Sequence, residues 1–174
     1  MQAVSVLISI LLTVGSVVFS NSAYAVSNYI ENPKPVGEAR LEIMFWDIYD
    51  AKLIAPNGDF HPEKPFALAL TYLREFEGKN IASRSIDEMR DQGMKDEVKL
   101  AKWFEKMQQV FPNVDEGQTL TGIVDDKQHS HFYFNDNKMG TIEDPEFTKW
   151  FFNIWLSEDT SQPKLRQKLL GSVN

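Results

Sequence analysis

The stretch FALALTYLREFEGKNIASRSIDEMRDQG, Phe66 to Gly93, changes period halfway along, and that change decides the fold. Phe66, Leu68, Leu70, Tyr72 and Arg74 fall on one side of an extended strand, with Ala67, Ala69, Thr71 and Leu73 on the other. One face is bulky and the other mostly small. After Glu75-Phe76-Glu77-Gly78 the spacing turns helical: Ala82, Ser85 or Ile86, and Met89 recur at three and four residues until Gly93 closes the helix. The segment therefore joins a sheet to a helical layer.

Working outward, Pro33 and Pro35 interrupt residues 26–36, which read as a lead-in arm, with regular structure expected from Gly37. A strand is expected from Glu38 to Trp46, with Ala39, Leu41, Ile43 and Phe45 on its buried side, and a second from Asp47 to Ala55. Their join near Trp46-Asp47 has no Gly or Pro, so a bulge or tight bend is required there. Asn57-Gly58 is a turn leading to the opening strand. Beyond Gly93, Leu100, Trp103, Phe104, Met107, Val110 and Phe111 form one helical stripe, capped by Asp96 and stopped by Pro112. Strands follow at Thr119 to Val124, His131 to Phe134 and Lys138 to Ile142. Asp144-Pro145-Glu146 combines a capping acid, proline at the first helical position and a carboxylate near the positive end of the dipole. The helix it opens carries Phe147, Trp150, Phe151, Ile154 and Trp155 on one side, and a last helix runs from Pro163 to Leu170 with Gly171 as its cap. Strands, two helices, strands, two helices is the order of an α+β domain: an antiparallel β-sheet with helices packed on one face.

The 174 residues suit one domain, expected over 37–174. Ala3 to Phe19 is uncharged and almost wholly apolar, and Ala23-Tyr24-Ala25 supplies a small-x-small cleavage pattern, so 1–25 is expected to be a signal peptide and the protein exported, to the periplasm. The n-region, Met1-Gln2, lacks the usual Lys or Arg, and an uncleaved leader would be the chain's one expected membrane contact. The formal charge of −7 argues against nucleic acid, which needs clustered Lys and Arg. With no cysteine, stability must come from the buried core.

Several separated motifs resemble the exported bacterial branch of the chalcone isomerase-like family. They are Gly37-Glu38-Ala39-Arg40-Leu41, Phe45-Trp46-Asp47-Ile48-Tyr49-Asp50-Ala51, Leu70-Thr71-Tyr72-Leu73-Arg74, and Ala82-x-Arg84-Ser85-Ile86-x-Glu88-Met89, then Asp144-Pro145-Glu146-Phe147 and Ile154-Trp155-Leu156-Ser157. The resemblance covers Gly37 to Gly171 and implies an open-faced β-sandwich. Plant members of the family cyclise a chalcone with an Arg, a Tyr, a Thr and an Asn. Anchoring the comparison at Tyr49, Gly78 and Ile154 places the family's first-strand Thr at Met44, its Tyr at Ile81, its Asn near Glu88 and its late-helix Thr or Ser at Asn153, with Arg40 as the sole counterpart of the Arg. Met44 and Ile81 cannot hold a water against an enolising carbonyl. The resemblance thus implies no catalytic residues and no isomerase activity.

Other plant members bind fatty acids with an Arg and a Tyr, which needs only an apolar cleft with a cation at one end. The candidate ligand-binding residues here are Arg40, Tyr72 and Arg74. Arg40 shares a strand side with Glu38 and Glu42 and reads first as a solvated face with a local ion pair. Arg74 follows Leu68, Leu70 and Tyr72, though Glu75 or Glu77 offers it a surface partner. His129 and His131 fall on one side of a strand but read as surface, so no metal is expected, and no motif asks for a cofactor. Arg84, Asp87, Glu88 and Arg90 read as the wet face of the first helix. The leading expectation is an exported, non-catalytic protein binding a fatty acid or other small apolar anion between sheet and helices. The alternatives are an isomerase or lyase-type enzyme with a changed residue set, using Tyr72 and Arg74, and an envelope protein-interaction module without a ligand.

Overall fold

The computed structural model describes residues 22–171. Six strands form one antiparallel sheet in sequence order: β1 (Pro33–Ile43), β2 (Trp46–Pro56), β3 (Phe66–Tyr72), β4 (Thr119–Val124), β5 (Ser130–Phe134) and β6 (Asn137–Ile142). A short helix α1 (Ser22–Ser27) precedes them; α2 (Gly78–Asp91) and α3 (Glu97–Val110) lie between β3 and β4, and α4 (Pro145–Leu156) and α5 (Pro163–Leu169) follow β6. This is the α+β arrangement read from the element order. Residues 1–21, where the apolar leader is expected, lie outside the described residues. No described helix is long and apolar enough to cross a membrane.

The alternation of β3 holds as read. Phe66, Leu68, Leu70 and Tyr72 enter the main core under the helices, while Ala67 packs on the opposite face with Ala25, Val26, Ile30 and Ile123. Burying each of these large side chains contributes roughly 1.5–3 kcal/mol. The helix starts also follow the sequence. Asp96 accepts a hydrogen bond from the Lys99 amide at 3.0 Å, and one oxygen of Asp144 accepts from the amides of Glu146 and Phe147, each at 3.1 Å. The other oxygen of Asp144 accepts from Trp103 Nε1 at 3.0 Å, tying α3 to α4. At α2 the capping is borrowed: Glu77 makes no side-chain cap bond, and Asn113 Oδ1 accepts from the Gly78 amide at 3.0 Å. A Cβ at Gly78 would lie 2.1 Å from the Phe111 carbonyl oxygen, so only glycine lets α2 start this close to the end of α3.

Two expectations change. A short helix, α1, already runs into the segment read as an arm, and the sheet begins at Pro33 rather than after Gly37, because an edge strand tolerates Pro33 and Pro35, with a register shift between Pro35 and Gly37. Val26 and Ile30, on the segment read as an arm, are buried against the back of the sheet. The join between β1 and β2 also moves. The turn is Met44-Phe45, closed by a left-handed Met44 (φ 58°), with a register shift between Leu41 and Glu42. Phe45, expected on the buried side, is 96 % exposed at the apex. Nothing in the composition marks this turn, since Met rarely takes a positive φ.

Candidate ligand cavity between sheet and helices

The helix-covered face is packed unevenly. Toward β4–β6 it is filled by rings: Phe147 stacks on Phe151 at 5.3 Å, and Phe132 meets Phe111 at 5.0 Å and Phe151 at 5.4 Å edge-on. Toward β1–β3 it is hollow. A cavity of about 500 Å³ lies between those strands, α2 and the end of α4, walled by Leu41, Ile43, Ile48, Leu70, Ile81 and Phe151 among others. Its long helical wall comes from α2, where Ile81, Arg84, Ser85 and Glu88 recur on one stripe.

The polar groups on this wall are few. Glu88 is buried, paired with Arg84 and hydrogen-bonded by Ser161 Oγ at 3.1 Å. Arg84 itself is largely exposed, so the pair sits where the cavity meets solvent. Ser85 Oγ is spent on the Ile81 carbonyl, 2.9 Å away. From the sheet side, Tyr49 and Tyr72 meet edge to face with ring centroids 5.9 Å apart. Tyr49 Oη accepts from Trp155 Nε1 at 2.8 Å. The Tyr72 hydroxyl has no hydrogen-bond partner among the described residues. Burial raises both phenols, Tyr49 to about 12 and Tyr72 further, because phenolate is disfavoured away from water. Both are therefore protonated donors at any physiological pH.

The three candidate residues are separated by the structure. Tyr72 lines the cavity. Arg40 points from the opposite side of the sheet, where it donates to both oxygens of Asp50 (2.7 and 2.8 Å) and to Asp47 at 2.9 Å, because strand alternation sends residue 40 away from Ala39 and Leu41. Arg74 lies past the end of β3, so alternation no longer governs it; its guanidinium carbon sits 4.0 Å over the Trp46 ring, outside the cavity wall. Of the family positions, Ile81 and Glu88 are on the wall, Met44 is the exposed turn residue, and Asn153 borders a different groove. Glu88 and Arg84, read from sequence as a wet face, are wall residues. The signal was present in the spacing of Ile81, Ser85 and Glu88 and in the i,i+4 Arg84–Glu88 pair.

On the other face, His131 is held by Asp125 (Nε2 to Oδ2, 2.9 Å) and Thr141 (Nδ1 to Oγ1, 2.9 Å) and lies against the Tyr29 ring at 4.4 Å. Burial alone would raise Asp125, but hydrogen bonds from His131 and from the His129 and Lys127 amides bring its carboxyl below the usual range. These side chains are fully engaged with one another. Among the described residues no group of three or more His, Cys, Asp or Glu side chains is arranged to hold a metal ion.

A single antiparallel meander with helices over one face and an apolar hollow between the layers defines an open-faced sheet-and-helix fold. The chain belongs to the chalcone isomerase-like family, whose sequence model matches residues 43–171. It is 28% identical over 141 residues to an uncharacterized protein of Haemophilus influenzae, a match spanning 80% of this chain and 69% of that one. In three dimensions it is similar to the crystal structure of a fatty-acid binding protein of Arabidopsis thaliana, with a TM-score of 0.63 at 9% identity, covering 81% of this chain and 88% of that one. At that identity the likeness speaks to the fold.

Proposed function

We propose that this protein is an exported, non-catalytic carrier that holds a fatty acid or a similar apolar anion in the cavity under α2. The observation that carries the proposal is Tyr72, a buried residue whose hydroxyl has no partner among the described residues, beside an apolar hollow whose size falls in the ~300–1,000 Å³ range of small-molecule sites. The chain of the ligand lies along Leu41, Ile48, Leu70 and Ile81, and its head accepts from Tyr72 and from Tyr49, whose proton is not used in the bond from Trp155. Arg84 lends positive charge, shared with Glu88. A binding role is supported further by the wall chemistry, which has no His, Lys or Cys and whose two phenols are held neutral by burial. The resemblance in fold to a fatty-acid binding protein agrees with this reading. Export rests on the apolar run before Ala25 and on the small-x-small pattern Ala23-Tyr24-Ala25.

Denaturing the purified protein and identifying the released small molecules by mass spectrometry tests the carrier reading, with displacement of a fluorescent fatty acid as the quantitative arm. Tyr72→Phe removes only the hydroxyl and weakens a carboxylate ligand by about tenfold. A stable protein that releases nothing and takes up no fatty acid ends the proposal.

A further inference from the structure

The β1–β2 turn carries the largest run of exposed apolar side chains in the described residues. Ile43, Met44, Phe45 and Trp46 are 45, 85, 96 and 57 % exposed. Four consecutive residues of this kind at a hairpin apex do not make a flat patch. Neighbouring side chains on a hairpin point to opposite sides, so the apex is an apolar wedge on all its surfaces. A protein partner would need a deep socket to cover such a wedge, whereas a lipid monolayer accepts it from every side.

The residues beneath the wedge fit a lipid interface. The first charges below it are Glu42 and Asp47, which face each other across the hairpin, and Arg40, which bridges Asp47 and Asp50. Arg74 stacks on Trp46 at 4.0 Å, placing a guanidinium at the depth where an indole meets head-group phosphates. The groove beside that pair also contains Glu75, Asp115 and Glu116, which disfavour an anionic surface. Ile43 belongs both to the wedge and to the wall of the cavity. The apolar surface of the tip is therefore continuous with the hollow.

We infer that Ile43 to Trp46 is a docking wedge that enters a zwitterionic lipid surface and sets the cavity mouth against it, so that the apolar ligand passes between bilayer and protein without crossing water. The transfer half of this inference rests on the carrier reading; the docking half does not. It gives the chain a lipid contact distinct from the leader expected in its sequence.

The test uses the protein as purified and vesicles of brominated phosphatidylcholine, which quench only indoles that reach the acyl chains. Of the four tryptophans, Trp103 and Trp155 are buried and Trp150 is half-buried on α4, outside the wedge, so quenching is expected to come from Trp46 and to vanish in Trp46→Phe. Met44→Asp/Phe45→Asp reduces vesicle-dependent quenching by about tenfold or more. Asp suits the positive φ of residue 44 better than Met does, so the variant folds, as its unfolding midpoint verifies. The same variant keeps equilibrium uptake of a fluorescent fatty acid from buffer but slows its transfer from vesicles by about tenfold. Quenching absent from the native chain, quenching that survives Trp46→Phe, or a tip-dependent dimer in sedimentation without vesicle binding each overturns the docking. Tip-dependent quenching in a protein that takes up no fatty acid supports the docking and overturns the cargo.

Discussion

The two halves of the layer between sheet and helices share α4 and are packed in opposite ways. Over β4–β6 the rings of Trp103, Phe111, Phe132, Phe147 and Phe151 lock α3 and α4 to the sheet. Over β1–β3, where α5 packs closely against the start of β1, the α2 wall stands off and leaves about 500 Å³. A void of that size forfeits dispersion contacts along its lining, and the fold withstands it because the filled half is rigid enough to hold the hollow open. Dense packing and open volume are thus divided between neighbouring regions of one core.

The division breaks most sharply if substitutions in the two halves cost the same. Phe147→Ala, fully buried among rings, is expected to lose about 3–5 kcal/mol in denaturant unfolding. A loss near zero would mean the filled half is not the source of stability. Next comes Asp144→Ala, which uncaps α4 and strands the Trp103 N–H, for about 2 kcal/mol. Burial pushes the Asp144 carboxyl up, but the bond from Trp103, the Phe147 and Glu146 amides and the charge of Lys106 bring it below its ordinary value. A folded pKa below the unfolded one means that the unfolded chain binds more protons between the two. This contribution is therefore present above the unfolded carboxylate pKa of about 3.9 and lost as pH falls through the folded value. Asp144→Asn should flatten the acid limb of the stability profile, and an unchanged limb would contradict the assignment.

At the border of the halves, Trp155→Phe removes the bond to Tyr49 and is expected to cost about 1 kcal/mol in the same assay while freeing the Tyr49 hydroxyl. The smallest effect on stability belongs to the hollow itself. Ile81→Trp grows into unoccupied volume, so the unfolding free energy should stay within about 1 kcal/mol while fatty-acid uptake disappears. If filling the hollow left uptake intact, the cavity would not be the binding site.

Most of the architecture was legible because local signals agreed with one another. The period change at Glu75 to Gly78 marked the passage from β3 to α2, and Asp144-Pro145-Glu146 marked the start of α4 before any packing was known. The β1–β2 turn was misplaced because its left-handed residue is Met44, which carries no turn chemistry, and the strand alternation then sent Phe45 inward on paper. The site was legible only in part. Tyr72 follows from alternation within β3, but that rule lapses at the strand end, where Arg74 turns out to Trp46. Glu88 looked like one of four charged residues on a helix. Its burial depends on Ser161, distant in sequence, which no local pattern announces. The same holds for Trp155, whose indole N–H finds Tyr49 across the layer.

The connection between β3 and β4 has a kinetic consequence. These strands are neighbours at the centre of the sheet, yet α2 and α3 intervene between them in the chain. Every other strand pair joins through a short loop and closes early at little entropic cost, whereas the central pair must wait for a long loop to close. The sheet is therefore expected to assemble as two three-stranded halves that meet last along the seam where Thr71 Oγ1 and Thr119 Oγ1 lie 2.9 Å apart. Until that seam closes, β3 presents a bare, apolar edge, an aggregation-prone surface on the way to the folded state.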